Sequence, residues 1–367
     1  MQDNTFSKEQ DQDNSQSMQS QVYKCQSCGN FLRYDPESKK MKCEYCNTTV
    51  PTQEVSLAEE LPYNDKVEQG FVKWGGVKSV KCKSCGAVSV LPDYEVVSNC
   101  PFCNASNIVD SEEIDGLRPN GILPFKISKE HVPKVYENWL KSKKLAPNKL
   151  KKDAKRQPAR GVYVPLFTFD TVADCDYIIR YGQHYTVTVG TGKNRHTETR
   201  TRWYTASGHV NDFFNDVQIE ASKSITQKNL KKLGGFDTDN SFEYHNQFIS
   251  GYSAERYDKS LDESWADAKE FIKSSLRQEI LSRYRADVVD YVNMSCSYSE
   301  RTYKYVLVPV WIFNYHYGKK VFDCIVNGRS GRVVGKYPKS FVKLGIIGLT
   351  ILAMAGLVVW MFVKYFV

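Results

Sequence analysis

CQSCGNFLRYDPESKKMKCEYC, residues 25–46, sets four cysteines as two Cys-x-x-Cys pairs with fourteen residues between them. The spacing recurs at 82–103, CKSCGAVSVLPDYEVVSNCPFC, 57 positions further on. A structural zinc ion takes four ligands in a tetrahedron and favours thiolates. A Cys-x-x-Cys turn converges two sulfurs on one ion, and a hairpin of about fourteen residues brings two such turns together, just under the usual ribbon window of about 15–20. Gly29 and Gly86 follow the first pairs, and Asn47 and Asn104 follow the second. These residue types tolerate the positive φ that the exit from such a turn requires. Lys24, Lys42 and Lys81 precede three of the four pairs, where they offset the thiolate charge.

Three other readings of the pairs are weaker. A disulfide framework belongs to exported chains, and the opening MQDNTFSKEQDQDNSQSMQSQ, 1–21, has no apolar run. That stretch reads as a disordered leader with almost nothing to bury. A redox Cys-x-x-Cys needs a thioredoxin-like βαβ setting, which the flanking sequence lacks. Chance does not repeat one spacing to the residue. The expectation is two structural Zn²⁺ ions, held by Cys25, Cys28, Cys43 and Cys46 and by Cys82, Cys85, Cys100 and Cys103. A site with four protein ligands has no open position for water, so neither ion is expected to be catalytic. The remaining cysteines, Cys175, Cys296 and Cys324, lie in apolar or strand-like settings and read as ordinary buried thiols.

The charge is uneven. Residues 1–120 carry 12 Lys/Arg against 18 Asp/Glu, a net −6, whereas 121–367 carry 38 against 24, a net +14. Two divalent ions on eight thiolates would move the formal total from +8 to near +4 and leave the cysteine-bearing arm near −10. An acidic arm repels phosphate, which disfavours nucleic acid as its partner. The far end is the opposite of the arm. LGIIGLTILAMAGLVVWMFV, 344–363, is twenty residues without a charge. At about 1.5 Å per residue it spans roughly 30 Å, the thickness of a bilayer's hydrocarbon. Lys336, Lys339 and Lys343 precede it, and positive charge stays on the cytoplasmic side. The expectation is a single-pass, tail-anchored protein of the cell membrane, in contact with lipid through 344–363, with its N-terminal body in the cytoplasm.

Between arm and tail, the pattern alternates strand and helix. Val132, Val135, Tyr136, Trp139 and Leu140 form a helical stripe. KSKKLAPNKLKKDAKRQPAR, 141–160, follows with nine Lys/Arg and one Asp. It reads first as a solvated loop, then as a surface for anionic lipid, and last as one for nucleic acid. GVYVPLFTFD, 161–170, opens a strand region, and TVTV, GTGKN and HTETRTRWYT suggest a long hairpin. GTGK lacks the earlier glycine and the following Ser/Thr of a phosphate loop. Ser260 and Glu263 form a capping box for a helix over about 260–290, with Trp265, Ala268, Ile272, Leu276, Ile280 and Tyr284 along one face. YVLVPVWIFNYHY, 305–317, returns to strand, and its Val308–Asn314 matches Val164–Asp170 position by position. The match suggests two similar strands, each opened by a proline. VFDCIVNGRSGRVVG reads as strand, turn, strand.

The fold expected is α+β: two small four-cysteine zinc ribbons, a mixed, mainly antiparallel β body with covering helices, and one C-terminal transmembrane helix. Its parts are a leader 1–21, ribbon 22–50, linker 51–75, ribbon 76–110, body 121–335, basic juxtamembrane segment 336–343 and span 344–363. With the ribbons, the LPF strand, GVYVPLFTFD, LVPVW and NGRSGRVVG in view, the chain resembles a bacterial family of membrane-anchored proteins with TFIIB-type zinc ribbons, over about 22–367. Some members are named after the primosomal replication-restart helicase. The nucleotide loop of a helicase motor is missing here. The resemblance implies Zn²⁺ at the eight cysteines and a membrane address, and assigns no activity. The six histidines are scattered, with no His-Glu-x-x-His or Gly-x-Ser-x-Gly. The reading therefore favours a non-catalytic protein-interaction or adaptor module. A nucleic-acid-binding ribbon protein of replication or transcription and a membrane-sited enzyme are the alternatives.

Overall fold

The structure, a computed structural model, describes residues 23–64, 77–92, 99–102, 105–106, 108–110, 117–153, 159–222, 225–317 and 320–366. The leader 1–21, most of the second half of the expected linker, and Cys103 with Asn104 lie outside them. In chain order the first strands are β1 (Leu32–Asp35), β2 (Lys40–Cys43), β3 (Thr49–Val50), β4 (Leu61–Pro62), β5 (Val77–Cys82), β6 (Val88–Pro92), β7 (Ile108–Asp110) and β8 (Gly121–Ile122). Then come α1 (Val132–Ser142), α2 (Asn148–Asp153), β9 (Ala159–Val189), β10 (His196–Glu220), α3 (Gln227–Leu233), β11 (Phe242–Glu243), α4 (Asn246–Ile249) and β12 (Ser253–Glu255). The chain closes with α5 (Leu261–Ser282), β13 (Val288–Tyr317), β14 (Lys320–Asn327), β15 (Val333–Gly335) and α6 (Phe341–Phe366). The fold is α+β. Most strand pairs are antiparallel, and β12–β9 and β13–β8 are parallel.

Two strands dominate. β9 runs 31 residues and β13 runs 30, paired antiparallel from Ala159↔Phe313 to Gly182↔Val288. At roughly 3.3 Å per residue, β9 is about 100 Å long. One half of this pair is buried on both faces. Val162, Val164, Leu166, Val306, Val308 and Val310 form a cluster with Leu230 and Leu233 of α3, while Tyr163, Phe167, Phe169 and Tyr305 face the main core. Double burial explains why GVYVPLFTFD is a continuous apolar run and not an alternating one. The other half is a blade covered on one side only. Ala173, Cys175, Tyr177 and Ile179 join the core with Ile272, Leu276 and Ile280 of α5, while Asp176, Ile178 and Arg180 are exposed. β10 follows β9 out to the tip at Gly190.

The two prolines do not open their strands, as the sequence suggested; they sit inside them. Pro165 lies where β10 ends (Glu220↔Leu166) and β12 takes over (Ala254↔Tyr163). Pro309 lies where β8 ends (Leu307↔Ile122) and β14 begins (Val310↔Asn327). Each has its carbonyl bonded on that side, from Ala221 N–H (3.3 Å) and Gly328 N–H (2.9 Å). A residue without an N–H is tolerated at such a change of partner, because no ladder bond is lost there.

α5 has its capping box: Ser260 Oγ accepts from Glu263 N–H, and the Glu263 carboxylate accepts from Ser260 N–H. The helix ends at Ser282, short of the expected 290, and Tyr284 packs beyond it against Tyr177 and Tyr181. α6 is a single helix long and apolar enough to cross a membrane, with no part of its span buried. It begins three residues before the expected span and ends three after it.

Candidate metal centre

Each of the two cysteine-bearing units expected as ribbons 1 and 2 is built, over its described residues, from turns with one hydrogen-bond pattern. In the first, Gly29 N–H donates to Cys25 O (2.8 Å) and Cys25 N–H to Asn30 O (2.7 Å). Asn47→Cys43 (3.0 Å) with Cys43→Thr48 (2.9 Å), and Gly86→Cys82 (2.9 Å) with Cys82→Ala87 (3.0 Å), repeat it. Cys100 N–H to Ala105 O (2.8 Å) supplies the half of the fourth knuckle that is described. Gly29, Asn47 and Gly86 take φ of 72°, 59° and 78°, as their residue types required.

These turns bring Cys25, Cys28, Cys43 and Cys46 together, with every sulfur within 4.8 Å of the others. Cys25 and Cys46, and Cys28 and Cys43, are each 3.5 Å apart. Cys82, Cys85 and Cys100 form the same cluster, with Cys85 to Cys100 at 3.7 Å. The eighth expected ligand, Cys103, lies outside the described residues. Metal–sulfur bonds of about 2.3 Å in a tetrahedron place sulfurs about 3.8 Å apart. The unbonded thiols sit close to that spacing, so both groups fit a tetrahedral thiolate-bound ion. Hydrogen bonds from Thr48, its hydroxyl 3.1 Å from Cys46 Sγ, lower that thiol to about 6, whereas Cys28, despite the Asn30 N–H, is raised to about 12 by burial and its cysteine neighbours.

The two ribbons are braced differently. Ribbon 1 is a separate three-stranded sheet, β1–β2–β3. It is held to the body by Tyr34 N–H to Ser250 O (3.2 Å), Ser250 Oγ to Leu32 O (2.7 Å), and a two-way bond between Gln53 and the Gln247 amide (2.8 and 3.0 Å). Ribbon 2 continues the body's own sheet through β6–β12. Arg160 of β9 donates to Cys100 O (3.0 Å), and the Asn314 amide donates to Phe102 O.

A cleft of about 900 Å³ opens between them. Arg33, Asp35, Glu37, Lys42, Glu44 and Asn47 of ribbon 1 line one wall, and Asn99 and Pro101 of ribbon 2 line another. Lys129, Glu130, His131, Arg160, Tyr252 and Trp311 form the body side. Ser128, His131 and Glu37 meet here. His131 Nδ1 is 3.0 Å from Ser128 Oγ and 2.6 Å from Glu37 Oε1, which also accepts from Ser128 (2.8 Å). The three contacts close a triangle of one hydroxyl, one ring nitrogen and one carboxylate oxygen, so the imidazole does not bridge from hydroxyl to acid through its two nitrogens as an activated nucleophile requires. Ser128 is buried at the start of α1, where its carbonyl takes the Val132 N–H (3.0 Å). The trio is a strut between ribbon and body.

Sequence reasoning missed two groupings. Cys175 and Cys296, read as ordinary thiols, form a disulfide across 121 residues. They are direct partners in the β9–β13 register, on the phase of both strands that faces α5. No spacing rule reveals a cross-strand pair until the register is known. Cys324 is a free, buried thiol, raised by burial. The second grouping is acidic: Glu60, Asp170 and Asp216 converge within 4.8 Å. Lys304, with its side chain 5% exposed, sits 2.6 Å from Glu60 and 3.1 Å from Asp216, so an ammonium already supplies the positive charge. Asp216 occupies a bulge at φ 49°, its N–H donating to Asp170 (2.7 Å). Burial pushes its carboxyl up to about 6.

The chain is 26% identical over 345 residues to the uncharacterized protein YdjG of Bacillus subtilis (strain 168), over 90% of this chain and 96% of that protein. No family model matches the sequence. No solved structure matches the fold.

Proposed function

We propose that the chain is a zinc-binding, membrane-anchored adaptor. It holds two structural Zn²⁺ ions in TFIIB-type ribbons, is fixed in the membrane by α6, and docks another protein without catalysis. The observation that carries this reading is the position of the cleft: both ribbons, each braced on the same body, contribute its walls. Zinc suits the task of a rigid, chemically inert brace, since a four-thiolate ion has no open coordination position. The lining mixes signs, with Arg33, Lys42, Lys129 and Arg160 against Asp35, Glu37, Glu44 and Glu130. Such a surface complements a polypeptide segment carrying both charges and disfavours a polyanion.

The test is site-directed photocrosslinking in intact membranes. A crosslinker at Lys42 or Lys129 should capture one polypeptide, and the same group at Lys273 of α5 should not. The capture should disappear with Cys82→Ser and Cys85→Ser, which dismantle ribbon 2. Capture that is indifferent to those changes, or crosslinks to nucleic acid alone, would overturn the reading.

A further inference from the structure

The apolar helix α6 does not leave the body freely. Lys343, the last charge before its apolar run, donates through Nζ to Ala146 O (2.7 Å), Asn148 Oδ1 (2.8 Å) and Lys144 O (3.3 Å). Three residues earlier, Ser340 N–H donates to Leu145 O (2.8 Å), while Ser340 O takes the Leu344 N–H (3.0 Å). The turn between α1 and α2 is therefore clasped to the first turn of the span, beside Leu344, where the hydrocarbon would begin.

That turn belongs to the most basic stretch of the chain. Residues 141–152, KSKKLAPNKLKK, hold six lysines and no acidic residue. Lys144, Lys149 and Lys152 are exposed, and Lys141 is paired with Glu137 (2.7 Å). No carboxylate pairs with Lys143, Lys144, Lys149, Lys151 or Lys152 among the described residues. The Lys151 ammonium bonds Lys141 O (3.0 Å), and burial together with the nearby Lys343 charge lowers its proton affinity. Positive charge is thus gathered here without its counter-ion. The apolar side of the same clasp carries Trp139, against Tyr337 at 6.1 Å and beneath the Lys143 ammonium at 5.1 Å. Trp and Tyr beside lysine are the residues that settle at a headgroup layer.

We propose that Lys141–Lys152, from the end of α1 through α2, is a docking shelf for the phosphates of anionic phospholipids. On this account the shelf is held at headgroup level by the Lys343 clasp and fixes the tilt of the body over the membrane. The proposal rests on α6 being a membrane anchor. Charge and position together select the lipid surface over free nucleic acid, because the clasp puts the lysines where the bilayer's own phosphates lie. Each lysine that reaches such a surface contributes about fivefold in affinity, and the effect is screened by salt.

The test uses the full-length, metal-loaded chain in vesicles of phosphatidylcholine alone and of phosphatidylcholine with phosphatidylglycerol. Flotation comes first, then lysine acetylation read by mass spectrometry. The chain should float with both vesicles. Acetylation of Lys144, Lys149 and Lys152 should slow by about fivefold or more when phosphatidylglycerol is present. It should recover in high salt, with Lys273 of α5 unchanged throughout. Flotation with both vesicles and equal labelling in each overturns the shelf and leaves the anchor standing. Flotation with neither overturns both. Protection by a short DNA duplex over neutral vesicles, without protection by phosphatidylglycerol, makes the surface a nucleic-acid site and overturns the proposal.

Discussion

Ribbon 1 and the β9–β13 blade are held together by different physics. Ribbon 1 has strands of two to four residues and a core of little more than Leu32, Tyr34 and Met41, with Cys25 and Cys43 buried among them. These side chains extend the main core, where Tyr34 meets Phe248 at 5.3 Å, and on the proposed reading an ion at the four sulfurs supplies most of the remaining free energy. The blade needs no ion. Its strands bury Ala173, Cys175, Tyr177 and Ile179 against Ile272, Leu276 and Ile280 of α5, each Ile or Leu contributing about 1.5–3 kcal/mol relative to exposure. A disulfide and a capped 22-residue helix add to that. On the proposed reading, the difference separates a metal-dependent unit from a metal-independent one within one chain.

The largest expected effect follows directly. Removing the metal with a chelator, or substituting Cys43→Ser, should cost ribbon 1 about 10 kcal/mol or more of local stability. Amide hydrogen exchange should then show protection lost over 32–50 and retained over 261–282. Loss across both regions would break the comparison. In the body, Lys304→Met leaves the largely buried Asp216 and the part-exposed Glu60 without their cation and should destabilise by about 3 kcal/mol, read by denaturant unfolding of the metal-loaded chain. Ribbon exchange should be unchanged in that variant. Replacing Cys175 and Cys296 together by alanine should cost about 2–4 kcal/mol, again in the body alone. Ser260→Ala removes the α5 cap and should cost about 1 kcal/mol.

The smallest effect is one of pH. The Asp216 carboxyl is raised from its ordinary value to about 6 by burial, with the Asp239 contact second. A raised acid favours the protonated fold, so its contribution is full below about pH 4 and is lost as pH rises through about 6. Asp239 is lowered by its bond from Asp216 and acts in the opposite sense at lower pH. Asp216→Asn should flatten the fall in body stability between about pH 4 and 6, measured by thermal unfolding across that range. An unchanged slope would remove Asp216 from the account.

What could be read from sequence was whatever depends on neighbours in the chain. Knuckle spacing, the Ser260–Glu263 box, the α1 stripe and the apolar α6 are all local patterns, and the structure has each of them. What depends on register was hidden. The strand beginning at Val288 went unseen before residue 305, because DYVNMSCSYSER faces solvent on one side and only half buries the other. Prolines inside β9 and β13 are intelligible only once the flanking strands are known to change there. Residues 60, 170, 216 and 304 share no spacing, yet meet around one ammonium. The two ribbons, identical in spacing, differ in setting because only the second finds an open strand, β12, to extend.

Native mass spectrometry of the full-length chain, purified under mild conditions without added metal, tests the central contrast most directly. The account predicts two zinc ions per chain, eight cysteines that become alkylated only after chelation, and one disulfide, between Cys175 and Cys296. A metal-free chain whose tetrad cysteines are bonded to one another would contradict it.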